Sequence, residues 1–266
     1  MLRLFQIEWI KVKSNRSFWA LLLLYILGVY VLCSIGTGLM NMTSSVNGEP
    51  AMDLSTMNMY NFPKAWHNLT YIASFLKIFL GITMIVGISN EVQHKTMRQN
   101  IIDGMSKVEF IISKVITAFF IALISTIFIV VLGLYFGNTY ADNMAWELVS
   151  QRLDFVGAFF LQTFTFLIFS LFLGLLVKSS GLAIVFTIAY SLLIENFFTW
   201  IFLDSDGLFA SILPMNALDN LIQFPISLTP NAEVQNTVGL KDTLICFAWL
   251  ILDIGLSYLV LWKKDL

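Results

Sequence analysis

Apolar residues gather along the chain into six runs of about twenty, at 18–40, 69–89, 111–136, 155–177, 182–203 and 244–262. A hydrocarbon core of roughly 30 Å takes about 20 helical residues to cross at ~1.5 Å per residue, so every run is long enough to span. Only Lys178, Ser179, Ser180 and Gly181 separate the fourth run from the fifth, which predicts a tight turn between antiparallel helices. The other connections are longer, and neither an internal repeat nor a low-complexity tract divides the chain. The pattern predicts an all-α polytopic membrane protein with six transmembrane helices, one domain over residues 1–266.

Three further segments mix apolar and polar positions. In residues 1–17, Leu2, Phe5, Trp9 and Val12 form one stripe, while Arg3, Lys11, Lys13 and Arg16 supply cations for anionic headgroups. That combination predicts a helix lying on the membrane surface. In the connection 90–110, Met97, Ile101 and Ile102 make a short apolar stripe, so a helix of about three turns is expected over Gln93 to Asp103. Gly104 stands where a left-handed residue closes such a helix. Ser106 and Glu109 then have the spacing of a capping box, which starts the third spanning helix afresh. A simple loop between two spans needs no such punctuation. A short amphipathic helix is a shape that docks into a partner's groove, with Met97 and Ile101 inward and Lys95 and Arg98 at the rim. Finally, in 207–224 the apolar Leu208, Phe209, Ile212, Leu213, Leu218, Leu221 and Ile222 are interrupted by Pro214, Asn216, Asp219 and Asn220. This stretch is too short and too broken to span, and predicts a re-entrant external segment before the sixth span, with a folded external loop as the alternative.

Composition sharpens the picture. Hydrophobic residues make up 58% of the chain, charged residues only 12%, and the mean hydropathy is +0.81; a soluble domain carries about 25% charge. The net charge of −2 distinguishes little, but its distribution is strongly lopsided. Eleven of the 15 lysines and arginines fall on the side of the two termini, three (Lys64, Arg152, Lys241) on the other, and Lys77 inside a run. With an even number of spans, this places both termini on the cytoplasmic side of a cell membrane. Trp19 and Trp262 on the inner side, and Trp66, Trp146 and Trp200 on the outer, stand where interfacial anchors belong. No cleavable signal peptide is expected, because the first apolar run is too long for one. Cys33 and Cys246 lie inside apolar runs and read as small buried hydrophobes.

In layout the chain resembles the membrane subunits of type-2 ATP-binding-cassette exporters. The likeness covers essentially the whole length. It is carried in sequence by Asn90-Glu91, by Lys95-Thr96-Met97-Arg98-Gln99-Asn100, by Asp103-Gly104 and Ser106-Lys107, and by Phe110 and Lys114. It looks most like the small permeases of bacterial antibiotic-peptide immunity and efflux, although Lys107 stands where that family tends to have arginine. The resemblance implies that Gln93, Lys95, Thr96, Met97, Arg98, Ile101, Asp103 and Gly104 form a cytoplasmic coupling helix. It also implies a dimer with a second copy or a homologous permease, and a separate ATPase subunit that carries the ATP and magnesium. The second and fifth spans would then border the dimer interface and the cargo path.

Several chemistries have no motif here. No Gly-x-x-x-x-Gly-Lys-Ser/Thr loop occurs, and His67 and His94 are the only histidines, so neither a P-loop nor a His-Glu-x-x-His zinc site exists. No Gly-x-Ser-x-Gly elbow occurs either. We therefore expect no catalytic residue, metal site or cofactor on this chain. Basic residues are few and sit at membrane borders, which excludes nucleic acid as a partner.

Three charges remain inside the spans: Lys77, Glu195 and Asp253. Each costs roughly 2.5–3.5 kcal/mol at a helix centre. Counted along their helices, Lys77 and Glu195 both lie about 4 Å to the outer side of the midplane, which predicts a pair across the second and fifth spans. Asp253 falls near the middle of the sixth. The three read as part of a translocation path, as a structural pair, or, for Glu195 and Asp253, as a catalytic carboxylate pair. The leading function is the transmembrane subunit of an ATP-driven exporter. The alternative is an ion- or proton-coupled secondary transporter relaying through the three charges, against which stands the lack of an inverted repeat or of broken spans in corresponding halves.

Overall fold

The computed structural model describes residues 2–41, 59–177, 179–202, 208–225 and 235–263, and all regular structure among them is helical. The surface helix α1 covers Leu2–Ser14 and the first spanning helix α2 covers Arg16–Asn41. One residue joins them. The Oδ1 of Asn15 accepts from the backbone N–H of Ser17 at 3.1 Å and of Phe18 at 3.3 Å, so this short side chain caps α2 and sets the angle between the two helices.

The second apolar run is not one helix but two, α3 over Lys64–Phe75 and α4 over Lys77–Gln93, bent by 42° at Leu76. Neither proline nor glycine marks the bend. The Leu76 N–H reaches back to Ala73 O at 3.1 Å, a tightened turn, and its side chain presses on α2 at Gly28, where an added Cβ would lie 2.9 Å from Leu76 Cδ1. Packing, not local sequence, breaks this span. After the short α5 (Thr96–Ile102) comes α6, Lys107–Tyr140, whose 34 residues run about 51 Å. It outreaches the expected 111–136 at both ends, because its start is set by the cap at Ser106.

Helix α7 (Trp146–Val149) leads into α8, Asp154–Leu176. The fifth span consists of α9 (Ser180–Ala189), a π-helical turn at Tyr190–Ile194, and α10 (Glu195–Phe202). Two short helices, α11 (Leu208–Ile212) and α12 (Pro214–Asp219), precede the last span, α13 (Leu240–Lys263). Lys178, Leu203 and Gly207, on which parts of the expected turn, fifth span and re-entrant segment fall, lie outside the described residues. Five helices are long and apolar enough to cross a membrane, and the bent α3–α4 pair makes a sixth.

Helix α8 is the centre of the bundle. Phe155, Phe159, Phe166, Leu167, Leu171 and Leu175 are all fully buried along it. Helix α4 packs tightly against it through two glycines. A Cβ on Gly81 would meet Phe166 Cε1 at 2.6 Å, and one on Gly174 would meet Ile88 Cγ2 at 2.5 Å. Between lipid-immersed helices the apolar surface gains nothing by leaving lipid, so close backbone approach at small residues supplies the cohesion. The exposed Leu, Ile and Phe side chains of α2, α9, α10 and α13 are the faces such a bundle turns to lipid.

Candidate functional site

The helix between the second and third spans is punctuated as its sequence predicts, with one shift. Gln93 closes α4 instead of opening the new helix; Lys95 adopts the left-handed conformation (φ 58°), and α5 begins at Thr96. Its end is a full Schellman closure. Gly104 (φ 98°) donates to Ile101 O at 3.1 Å, and Met105 donates to Asn100 O at 3.0 Å. Then Ser106 Oγ accepts from the Glu109 N–H at 3.2 Å, while Glu109 Oε2 accepts from the Ser106 N–H at 2.8 Å.

The faces of α5 differ from expectation. Met97 is buried against the protein's own core, and Ile101 is half-buried. Ile102 is 83% exposed, and Lys95, Thr96, Arg98, Gln99 and Asp103 are exposed around it. Met97 thus fastens α5 to the bundle, and the outward apolar contact belongs to Ile102. A stripe of three apolar residues on two helical turns leaves open which of them faces inward.

Directly behind α5 lies a buried ion cluster. Lys114 of α6 donates to both carboxylate oxygens of Glu8 in α1, at 2.8 and 2.7 Å, and to Glu91 Oε1 near the end of α4. Lys11 bridges the same two acids, 3.3 Å from Glu8 Oε1 and 3.2 Å from Glu91 Oε1. Ser113 and Thr117 add hydroxyl donors to Glu8, each at 3.2 Å. Glu8 and Lys114 are 5% exposed and Glu91 9%. Burial by itself pushes the Glu8 carboxyl upward, but the charges and hydrogen bonds of Lys114 and Lys11 outweigh it and hold the group below its ordinary value. Lys11 therefore turns into the protein instead of toward headgroups, while Trp9, on the apolar stripe, is half exposed. Glu8 carried no weight in the sequence reading; its place one turn before Lys11 was the only signal. A cavity of about 240 Å³ opens beside the cluster, between α1, α2, α4 and α6.

A second polar cluster occupies the opposite end of the bundle. The expected pair of Lys77 and Glu195 does not form. Lys77 Nζ lies 2.7 Å from Asp219 Oδ1 instead, and 5.7 Å from the centre of the Phe166 ring. Glu195 accepts from the backbone N–H groups of Met215 (3.0 Å) and Asn216 (2.5 Å), the second and third residues of α12 after Pro214. A carboxylate at a helix start satisfies amides that have no partner within the helix. At the other end of α12, Gln162 of α8 donates to Leu218 O at 2.9 Å. The two intramembrane charges thus grip the two ends of one short helix. Their partners come from the segment between the fifth and sixth spans, whose course no span count reveals.

The π-helical turn at Tyr190–Ile194 accounts for the aim of Glu195. One extra residue per turn rotates everything after it by about 100° relative to a continuous α-helix. Trp249 of α13 adds a hydrogen bond to Ile212 O at 2.7 Å, and His67 Nε2 lies 2.8 Å from Gln223 O. Asp253 makes no hydrogen bond or ion pair with either cluster among the described residues, and it is 2% exposed on the face of α13 that packs inward. Gln162 was not singled out from sequence, although a lone glutamine in an apolar run was a visible signal, and Asp219 was read only as a polar interruption of its segment.

A bundle of six apolar spans with charges buried at both ends and a short capped helix projecting between two of them defines a multi-pass helical membrane protein built for transport. The chain belongs to the ABC-2 family of transporter proteins, whose family model matches residues 2–266. It is thus a transmembrane permease component of an ATP-binding-cassette system. No curated protein matches the chain in sequence.

Proposed function

We propose that this chain is the membrane subunit of an ATP-driven exporter, with α5 as the helix that receives a separate cytoplasmic ATP-binding-cassette ATPase. The observation that carries this reading is the construction of α5: a seven-residue helix closed at Gly104, followed at once by a capped spanning helix, with an outward face of Ile102, Arg98 and Gln99. Met97 holds it to the bundle, so force applied at Ile102 passes into α4 and α6. The lysine and arginine bias supports an orientation with α1, α5 and both termini cytoplasmic in the cell membrane. The chain works as a dimer, with a second copy or a homologous permease, and ATP and magnesium belong to the ATPase partner.

At the outer end, α11 and α12 act as a lid on the cargo path. Lys77 and Glu195 hold the lid, and Asp253 contributes an unpaired carboxylate to the path below it. Family membership favours this over ion- or proton-coupled transport by the three charges alone.

Ile102→Asp should abolish copurification of the ATPase while leaving the amount of permease in the membrane unchanged. Met97→Asp should instead lower the permease itself, because it places a charge in the core. Normal ATPase binding by the Ile102 variant would remove α5 from the docking role.

A further inference from the structure

The inner cavity has a distinctive division of polar capacity. Glu8 is saturated, since Lys114, Lys11, Ser113 and Thr117 all donate to it. Lys114 has its three N–H groups directed at three carboxylate oxygens. Two neighbours on the cavity wall are not saturated, and they differ in sign. Glu91 Oε2 is buried without any partner, although the residue is 91% buried. Lys11 makes two of the three hydrogen bonds an ammonium can donate, and its side chain is 29% exposed.

An orphaned buried carboxylate oxygen carries a full desolvation penalty, which a cationic donor would remove. The terminal torsion of a glutamate is broad, so a small rotation presents Oε2 to the cavity. The cluster itself is neutral, with two acids and two lysines, so the ligand it fits carries both signs. Val12, Phe18, Met84, Ile88 and Ile121 supply the apolar part of the wall, and Ser14, Asn15, Thr83, Asn90, His94 and Thr96 add polar edges to it. The apolar residues lead from the cluster toward α2, whose outward face carries exposed Leu23, Leu24 and Leu27.

We infer that this cavity binds a zwitterionic phospholipid with a primary amine headgroup, its ammonium on Glu91, its phosphate on Lys11 and its acyl chains along Phe18, Met84 and Ile88. A phosphoethanolamine head meets both unsaturated groups at once. A choline head has no N–H to give Glu91, and a glycerol head has no cation. The lipid would seat where α1, α2 and the base of α5 converge.

The test uses the purified full-length protein, delipidated in detergent, and its thermal unfolding. Phosphatidylethanolamine at saturating concentration should raise the midpoint by about 5 °C. Phosphatidylcholine and phosphatidylglycerol with the same acyl chains should give less than half that shift. Glu91→Gln and Lys11→Ala should each reduce the selectivity, but both residues also belong to the ion cluster. Gly87→Phe separates the two roles, because Gly87 lines the cavity and an added Cβ there meets nothing within 4 Å. This variant should keep the unliganded midpoint and lose the shift. Equal stabilisation by all three lipids, or an undiminished shift in Gly87→Phe, would overturn the assignment. A shift from soluble phosphoethanolamine as large as that from the lipid would overturn the lipid as its source.

Discussion

The two buried polar clusters use opposite strategies for keeping charge in a membrane protein. At the α5 end, Glu8, Lys11, Glu91 and Lys114 neutralise one another, side chain against side chain, on three long helices. At the other end, Glu195 is satisfied by two backbone amides of a six-residue helix, and Lys77 by Asp219, whose side chain is 61% exposed. At the α5 end the charges sit on two spanning helices, α4 and α6, and on the surface helix α1, which meet side chain to side chain. The outer ones are held by a segment that leans on the bundle and touches water. Similar chemistry therefore yields a bolt at one end and a releasable strap at the other, and the difference lies in what carries the partner group.

The largest effect should come from removing the centre of the inner cluster. Lys114→Met leaves two buried carboxylates with only the part-exposed Lys11 between them, and breaking a buried pair typically costs roughly 3–5 kcal/mol. Denaturant unfolding in mixed micelles should report that loss. The triple variant Glu8→Gln, Lys114→Met, Glu91→Gln should recover most of it, since the one charge then left, Lys11, has a side chain that is 29% exposed. If the single and triple variants are equally unstable, the cluster is not acting as one unit.

Next in size is Glu195→Gln. An amide oxygen can still accept one N–H but loses the charge, at a cost of about 1.5–3 kcal/mol for a charge-assisted bond. Because α12 is only six residues long, the loss should be local. Hydrogen exchange at the Met215 and Asn216 amides should accelerate roughly 10-fold or more, with global unfolding nearly unchanged. A global loss as large as that of Lys114→Met would erase the contrast between bolt and strap.

A smaller effect is expected from Lys77 and its true partner. A double-mutant cycle of Lys77→Met with Asp219→Asn should give a coupling of about 1 kcal/mol, the half-exposed carboxylate keeping it modest. The same cycle between Lys77 and Glu195 should give less, because these side chains meet only through α12. A larger coupling for the second pair would restore a direct contact between the spans.

The smallest effect is in pH. The Glu8 carboxyl is held below its ordinary value of 4.5, so its ionised form stabilises the fold above that value, and the contribution fades only as pH falls through the lower, folded-state value. Docking of α1, followed by a probe at Trp9, should thus be flat from pH 7 down to about 5 and weaken below 4.5. Loosening already near pH 6 would mean that Lys114 and Lys11 do not outweigh burial.

Hydrophobic runs and capping residues were sufficient to derive an all-α bundle of membrane spans, the family and the C-terminal end of α5. Each is a local property: about 20 apolar residues must cross a ~30 Å core, Gly104 must adopt positive φ, and Ser106 and Glu109 bond within one turn. Tertiary structure decided what these signals leave open. Met97, not Ile102, was buried because α5 lies against a particular side of the bundle. The second span bent at Leu76, where no breaker residue stands, because α2 accepts that side chain at Gly28. Lys77 chose Asp219 over Glu195 because a short helix 142 residues away reaches it first. Opposite charges at one depth specify that each needs a partner; only the path of the intervening chain specifies which one is within 3 Å.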